Sequence, residues 1–401
     1  MTRHGREGPA LRETVATNRS SPPGLLEELA GSSEGRWVRL AVAANPSTPI
    51  GVLRRLAADA DAHMRIAVAC NRAAPASLLK RLADDGDPAV RLASLSNVTC
   101  PLSLVRRATK SENKLERAAA AGNPLCPVSA LKTLSIDRDR TVRQVALLNP
   151  ATPSEMLVPR KSLTCNLMVA QNRGTPPYTL DALSLDPFAD VRRIVARSPR
   201  VAGETIRRLA DDPDPRVRLI ALRNPRCQHM FLERAARSGD PLARASVASN
   251  PVCSPGLSFS LAKDADARVR RAVGGARGAA GEAVAAVLVM LAADREAPVR
   301  ASVAANPASP FGVFGRLATD PDHTVRSALA ANGALGPAIL DGLAGDESPV
   351  VRRVAARHGA LPLETAWALA MDPDIEVACE VARWSRDGDL LQAIAERDKE
   401  N

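Results

Sequence analysis

Arginine recurs along this chain at Arg39, Arg65, Arg91, Arg117, Arg143, Arg192, Arg218, Arg244, Arg270, Arg300, Arg326 and Arg352, for the most part 26 residues apart. A guanidinium is a planar fork of N–H donors, so a row of them could hold carboxylates in bidentate pairs or follow the phosphates of a nucleic acid backbone. Four residues before most of these arginines stands an acid: Asp61, Asp87, Asp139, Asp214, Asp240, Asp266, Glu296 and Asp322. A carboxylate that caps a helix and an arginine at i+4 form a favourable pair on one helix, and pairing between repeats would add to it. The expectation is a structural ladder of arginines.

A second basic set has a different character. Arg54, Arg55, Lys80, Arg81, Arg106, Arg107 and Lys132 recur at one equivalent region of successive repeats, in the first helices, and should form a stripe. These seven are the candidate binding residues, for a nucleic acid or an anionic protein.

The remaining chemistry-bearing residues do not assemble into a site. Cys100, Cys126, Cys227 and Cys253 fill equivalent places in their repeats, and neighbouring repeats would hold them about one helix spacing apart, roughly 8 to 10 Å, too far for a disulfide. With Cys70, Cys165 and Cys379 they are scattered and contain no CxxC. His4, His63, His229, His323 and His358 are equally dispersed. Gly274, Gly275, Gly278 and Gly281 lack the preceding strand that a phosphate-cradling loop requires. No catalytic, metal-binding or cofactor-binding residue is assigned.

What must position the arginines is a repeat. An anchor residue steps through Asn18, Asn45, Asn71, Asn97, Asn123, Asn149, Asn172, Ser198, Asn224, Asn250, Ala276, Asn306, Asn332, His358 and Trp384. The unit from Asn45 to Cys70 reads NPSTPIGVLRRLAADADAHMRIAVAC. Thr48 before Pro49 reads as an N-cap hydroxyl followed by proline at the first helical position, with Val52, Leu53 and Leu56 on one face. Asp61 opens a second helix bearing Met64, Ala67 and Val68, and the anchor asparagine suits a left-handed residue at its end. Two helices of about ten residues are too short to stand alone, so each unit must bury its face on its neighbours. The fold class expected is all-α, a right-handed α-solenoid (superhelix) of about fourteen 26-residue two-helix repeats. Residues 1–17 form an N-terminal extension, 18–384 the solenoid, and 385–401 a C-terminal cap in which Leu390, Leu391 and Ile394 cover an exposed edge. Two repeats are irregular: 149–171 is three residues short, with Pro159 in its first helix and Asn166 in place of the arginine, and 276–305 has four extra residues and lacks the Asn-Pro anchor.

Composition narrows the function. Of 401 residues 45% are apolar but only nine are aromatic, so the core is aliphatic. The longest apolar run, Ala283 to Ala293, is far below the roughly 20 residues of a membrane span, and the N-terminus has no apolar block of a secretory signal, which together place the chain in the cytoplasm with no membrane role. Residues 1–200 carry 29 Lys and Arg against 18 Asp and Glu, while residues 201–401 carry 25 against 26. The entire basic excess lies in the first half. Trp37 is the one aromatic among the first 177 residues, so recognition by base stacking is disfavoured there.

The pattern NPxTPxxxLxxLAxDxDxxVRxxVAxNP, carried by Asn45–Pro49, by Leu56-Ala57-Ala58-Asp59-Ala60-Asp61 and by Asn149–Pro153, resembles the leucine-rich repeat variant family and, more loosely, HEAT-like repeats. It covers about nine tenths of the chain. The resemblance implies a solenoid. The iron–sulfur cluster of some members sits on a separate cysteine-rich segment, and residues 1–17 contain no cysteine to hold one. HEAT-like DNA glycosylases are similar in architecture, but their activity needs tryptophans gathered on a basic face, and Trp37, Trp367 and Trp384 lie far apart in a linear stack. The function expected is therefore a non-catalytic scaffold for a protein partner on an extended preformed surface, with no small-molecule substrate. Duplex DNA backbone binding by the basic N-terminal half is the alternative, and a glycosylase a remote third.

Overall fold

The computed structural model describes residues 11–31, 35–277 and 281–400. His4 and Gly278, and residues 1–10 of the expected N-terminal extension, lie outside the described residues. The described elements are α-helices apart from one short 3₁₀ turn, Ser154–Met156. They alternate as the repeat requires, a first helix such as Ile50–Leu56 and then a second such as Ala62–Cys70, seven and nine residues long. The second helices stack successively, Arg36–Ala44 on Leu11–Thr17 and Ala62–Cys70 on Arg36–Ala44. The arrangement is an α-solenoid of repeats.

Both helices of this unit are shorter than the ten residues expected, and the sequence accounts for their ends. Proline four residues past the anchor fixes φ and removes an N–H, so Pro49 stands as the N-cap of Ile50–Leu56. The Thr48 hydroxyl does not cap that helix: it donates back to the Val42 carbonyl at 2.6 Å, closing the end of the preceding one. Ser309 does the same for Val303 at 2.7 Å. The second helix is capped as read, with Asp61 Oδ1 accepting from the His63 N–H at 2.9 Å.

The anchor asparagine is not left-handed. Asn45 has φ −74° and ψ 124°, an extended backbone, and its side chain explains the choice of residue. Asn71 Nδ2 donates to the carbonyls of Ala43 and Asn45 in the previous repeat, both at 2.8 Å, while Oδ1 accepts from the Ala73 N–H at 2.8 Å. Asn97, Asn123 and Asn149 repeat this bonding. An orphan helix-end carbonyl buried between repeats is costly, and the amide is the neutral side chain that supplies two donors and an acceptor at once.

The chain divides into two compact units. Unit 1, residues 1–176 with 378–401, contains both chain ends. Its core is the expected aliphatic stripe: Leu53, Leu56, Met64 and Val68 are fully buried. In the short repeat the first helix shrinks to the 3₁₀ turn, with Pro159 beyond it rather than inside, and Leu157 still reaches the core. Leu390, Leu391 and Ile394 are completely buried, and the helix that carries them, Gly388–Glu400, packs against Leu11–Thr17. The first repeat thus bonds to the last as an internal repeat bonds to its predecessor. Asn18 Nδ2 donates to the carbonyls of Ala382 and Ser385 at 2.7 and 2.9 Å, and Arg12 Nη1 to that of Ala395 at 3.2 Å.

Unit 2, residues 177–377, is built the same way. Its long repeat has a ten-residue first helix, Glu282–Leu291, against seven residues in Ile50–Leu56, so most of the added length goes into the helix itself. Gly274 and Gly275 end the preceding second helix. A Cβ on Gly274 would collide with Ser302 Oγ and press on Val303 Cγ2 at 3.1 Å, so that glycine serves close helix packing. His358 stands at an anchor position, its Nε2 3.0 Å from the Asn332 carbonyl.

Candidate binding surfaces

The ladder arginines lie near the N-terminal end of each second helix, and nine of the twelve grip a carboxylate. The partner is not the acid four residues back. Arg65 Nε and Nη2 donate to Asp85 at 2.8 and 3.0 Å, while its Nη1 donates to the backbone carbonyls of Asp59 and Ala60. Arg117 holds Asp137 in unit 1 likewise, and in unit 2 the pairs are Arg192–Asp212, Arg244–Asp264, Arg270–Asp294, Arg300–Asp320, Arg326–Asp346 and Arg352–Asp372. Arg39 pairs with Asp59. The same-helix acids do other work, since Asp61, Asp139 and Asp266 cap helices and bond Arg36, Lys114 and Arg268.

The motif contains two aspartates two residues apart, and spacing along one helix favoured the second. The first lies 20 residues beyond the arginine, one repeat later, where its carboxylate meets the guanidinium fork side-on. Across the long repeat the separation becomes 24 and the 2.7 Å contact is kept, so the geometry is fixed by stacking rather than by chain count.

Three ladder arginines have no such carboxylate. Ser111 and Ser238 take the aspartate's place opposite Arg91 and Arg218, and in the short repeat Arg160 holds that register after Arg143. Each keeps its bonds to the carbonyls six and five residues earlier. Asn166, without a guanidinium, joins Arg160 through paired side-chain and backbone bonds of 2.7 and 2.9 Å. Arg12 stands six residues before Asn18 and belongs to the series by the same spacing.

The pairs set the carboxylate ionisation. The Arg65 guanidinium holds Asp85 below the usual carboxylate range, and Arg117 and Arg244 do so for Asp137 and Asp264. At Asp212 and Asp320 burial pushes the value up, but the arginine and a backbone N–H outweigh it. These groups are ionised, engaged and built into the stack.

The other basic set is arranged differently. Arg54, Arg55, Lys80, Arg81, Arg106, Arg107 and Lys132 occupy the last turns of the first helices Ile50–Leu56, Ala76–Leu82, Leu102–Ala108 and Val128–Leu134 in unit 1, and all are exposed. Arg107 meets Asp84 at 3.0 Å and Lys132 meets Glu155 at 2.5 Å. Among the described residues the other five have no ion pair. In unit 2 the corresponding turns carry Arg207, Arg208 and Arg234, paired with Glu204, Asp181 and Asp211, and Arg316, which is exposed and without an ion pair among the described residues.

The cysteines are packing groups. Burial raises Cys100, Cys126 and Cys227 to about 11, which keeps them protonated. His63 and His229 bond carboxylates on their own helices or caps.

The fold and its ladders define a class, the α-solenoid built from two-helix repeats. Within that class the chain resembles the leucine-rich repeat variant family, whose model matches residues 36–61. No curated protein matches the chain. Among solved structures, a leucine-rich repeat variant with a novel repetitive structural motif is 26% identical, covering 56% of this chain and 80% of its own, with a TM-score of 0.29. Kap95p in its RanGDP complex is 10% identical over 95% of this chain and 60% of its own, at 0.32, and importin beta 13% over 96% and 51%, at 0.21. At such scores, what those proteins bind says nothing about this one.

Proposed function

We propose that the protein is a non-catalytic, cytoplasmic repeat scaffold that engages an extended acidic protein partner along the basic row of unit 1. The observation that supports this reading is the contrast between two arginine sets. Nine of the twelve ladder guanidiniums are engaged by carboxylates inside the stack and the other three by backbone carbonyls, whereas Arg54, Arg55, Lys80, Arg81 and Arg106 stand exposed on consecutive repeats and, among the described residues, without an ion pair. Stacking sets them about one helix spacing apart, roughly 8 to 10 Å. A preformed row of this kind binds an extended chain without the cost of ordering its own loops.

Duplex DNA backbone binding is the second reading, favoured by the same exposed row, since phosphates need no aromatic platform. The test is titration of a fluorescein-labelled oligoglutamate peptide and of a labelled duplex against the full chain and the variant Arg54→Glu/Arg55→Glu/Arg106→Glu. The scaffold reading expects peptide binding at low salt with an affinity loss of tenfold or more at this row in the variant. Tighter duplex binding abolished by the same variant would install the second reading, and no binding of either probe would reject both.

A further inference from the structure

A third group of arginines gathers on the second helices of unit 2 and just beyond the end of one of them. A trough of about 800 Å³ crosses five successive helices there, from Pro215–Arg223 to His323–Ala330, and Arg223, Arg268, Arg271 and Arg277 line it together with small side chains such as Ala272 and Ala301. All four arginines are exposed. Arg268 is held by Asp266 at 2.7 Å. Among the described residues Arg223, Arg271 and Arg277 have no ion pair.

No carboxylate and no aromatic ring lines the trough. This concentration of positive charge is local, because residues 201–401 as a whole carry 25 basic against 26 acidic side chains. Guanidiniums facing one hollow without acids repel one another, and an anion seated among them removes that repulsion.

We propose that this trough is a docking site for an extended acidic segment of a partner protein. Arginine forks match carboxylates bidentately. Arg223 lies on the first of the five helices and Arg268 and Arg271 on the third, two helix spacings or roughly 16 to 20 Å away, a span that suits an extended peptide rather than one compact anion. The small residues of the lining let a main chain lie close to the helices, and the missing rings deny single-stranded bases a stacking surface. The site is in unit 2 and does not depend on the basic row of unit 1, so each assignment can fail alone.

The test uses the full chain, a fluorescein-labelled deca-glutamate peptide and a labelled deca-thymidylate at low salt. The wild type is expected to take two peptides. Arg223→Glu/Arg271→Glu/Arg277→Glu is expected to take one, with that remaining site removed when the three substitutions in the unit 1 row are added. The milder Arg223→Gln/Arg271→Gln/Arg277→Gln variant should weaken the trough site about tenfold, which guards against loss by misfolding. Unchanged stoichiometry in both trough variants would overturn the proposal, and so would tighter oligonucleotide binding lost in the same variants.

Discussion

Asn71 shows how one side chain joins two repeats. Its amide satisfies the Ala43 and Asn45 carbonyls and the Ala73 N–H in a buried place. Asn71→Ala would leave all three unpaired and is expected to cost about 2 kcal/mol, read as a lower urea midpoint at unchanged m-value. The ladder aspartates add a pH dependence of definite sign. Their folded pKa lies below the unfolded value of roughly 4, so the stabilisation is present above that pH and is lost as pH falls through the lowered value. Arg65→Gln should therefore reduce stability more at pH 7 than at pH 2 in matched urea titrations, and equal losses at both would contradict the pairing. Where the carboxylate is missing the ladder can be completed. Ser238 accepts the Asp240 N–H at 3.1 Å, as Asp212 accepts that of Asp214 at 2.9 Å, so Ser238→Asp should bring a carboxylate to Arg218. A gain of a few tenths to about 1 kcal/mol is expected as a higher Tm.

At the scale of the helix, seven to nine residues cannot persist in water, and stability comes from what each helix covers. The period, the prolines and the Leu and Val positions made this legible from the sequence, because burial on one face leaves a regular imprint. Hydrogen-bond partners left a weaker one. Thr48, read as a cap, bonds the helix before it, and the first aspartate of LAxDxD was passed over for the second, because within one repeat both residues satisfy the same local rules. The partners become definite when the next repeat is laid alongside. The contact between the first and last repeats could not be read at all, since no spacing in a linear sequence records it. That contact predicts a specific sensitivity: Leu391→Ala, at a fully buried position on the helix that packs against Leu11–Thr17, should cost about 2 to 5 kcal/mol. A calorimetric scan with an unchanged Tm would show that this helix is dispensable.

For the whole molecule, neighbour-to-neighbour bonding makes stability a sum over repeats and their interfaces. Two tasks fall to one residue type. Arginine joins repeats when a carboxylate from the next repeat meets it; on the last turns of the first helices it is exposed, and there we propose that it meets a partner. Sequence separated these sets by position but saw charge only as halves of the chain. It placed the basic surplus in residues 1–200 and missed the trough, whose arginines are scattered at 223, 268, 271 and 277 and offset by acids elsewhere in unit 2.

Comparing the oligoglutamate affinity of Arg65→Gln/Arg117→Gln with that of Arg54→Glu/Arg55→Glu/Arg106→Glu in unit 1, each beside its melting curve, separates these two tasks most directly. The first variant should melt at lower temperature and bind the peptide as the wild type does. The second should melt with the wild type and lose the peptide from the row. Reversal of that pattern, with binding lost from the melted-down ladder variant under conditions where it is still folded, would contradict the division of labour among the arginines.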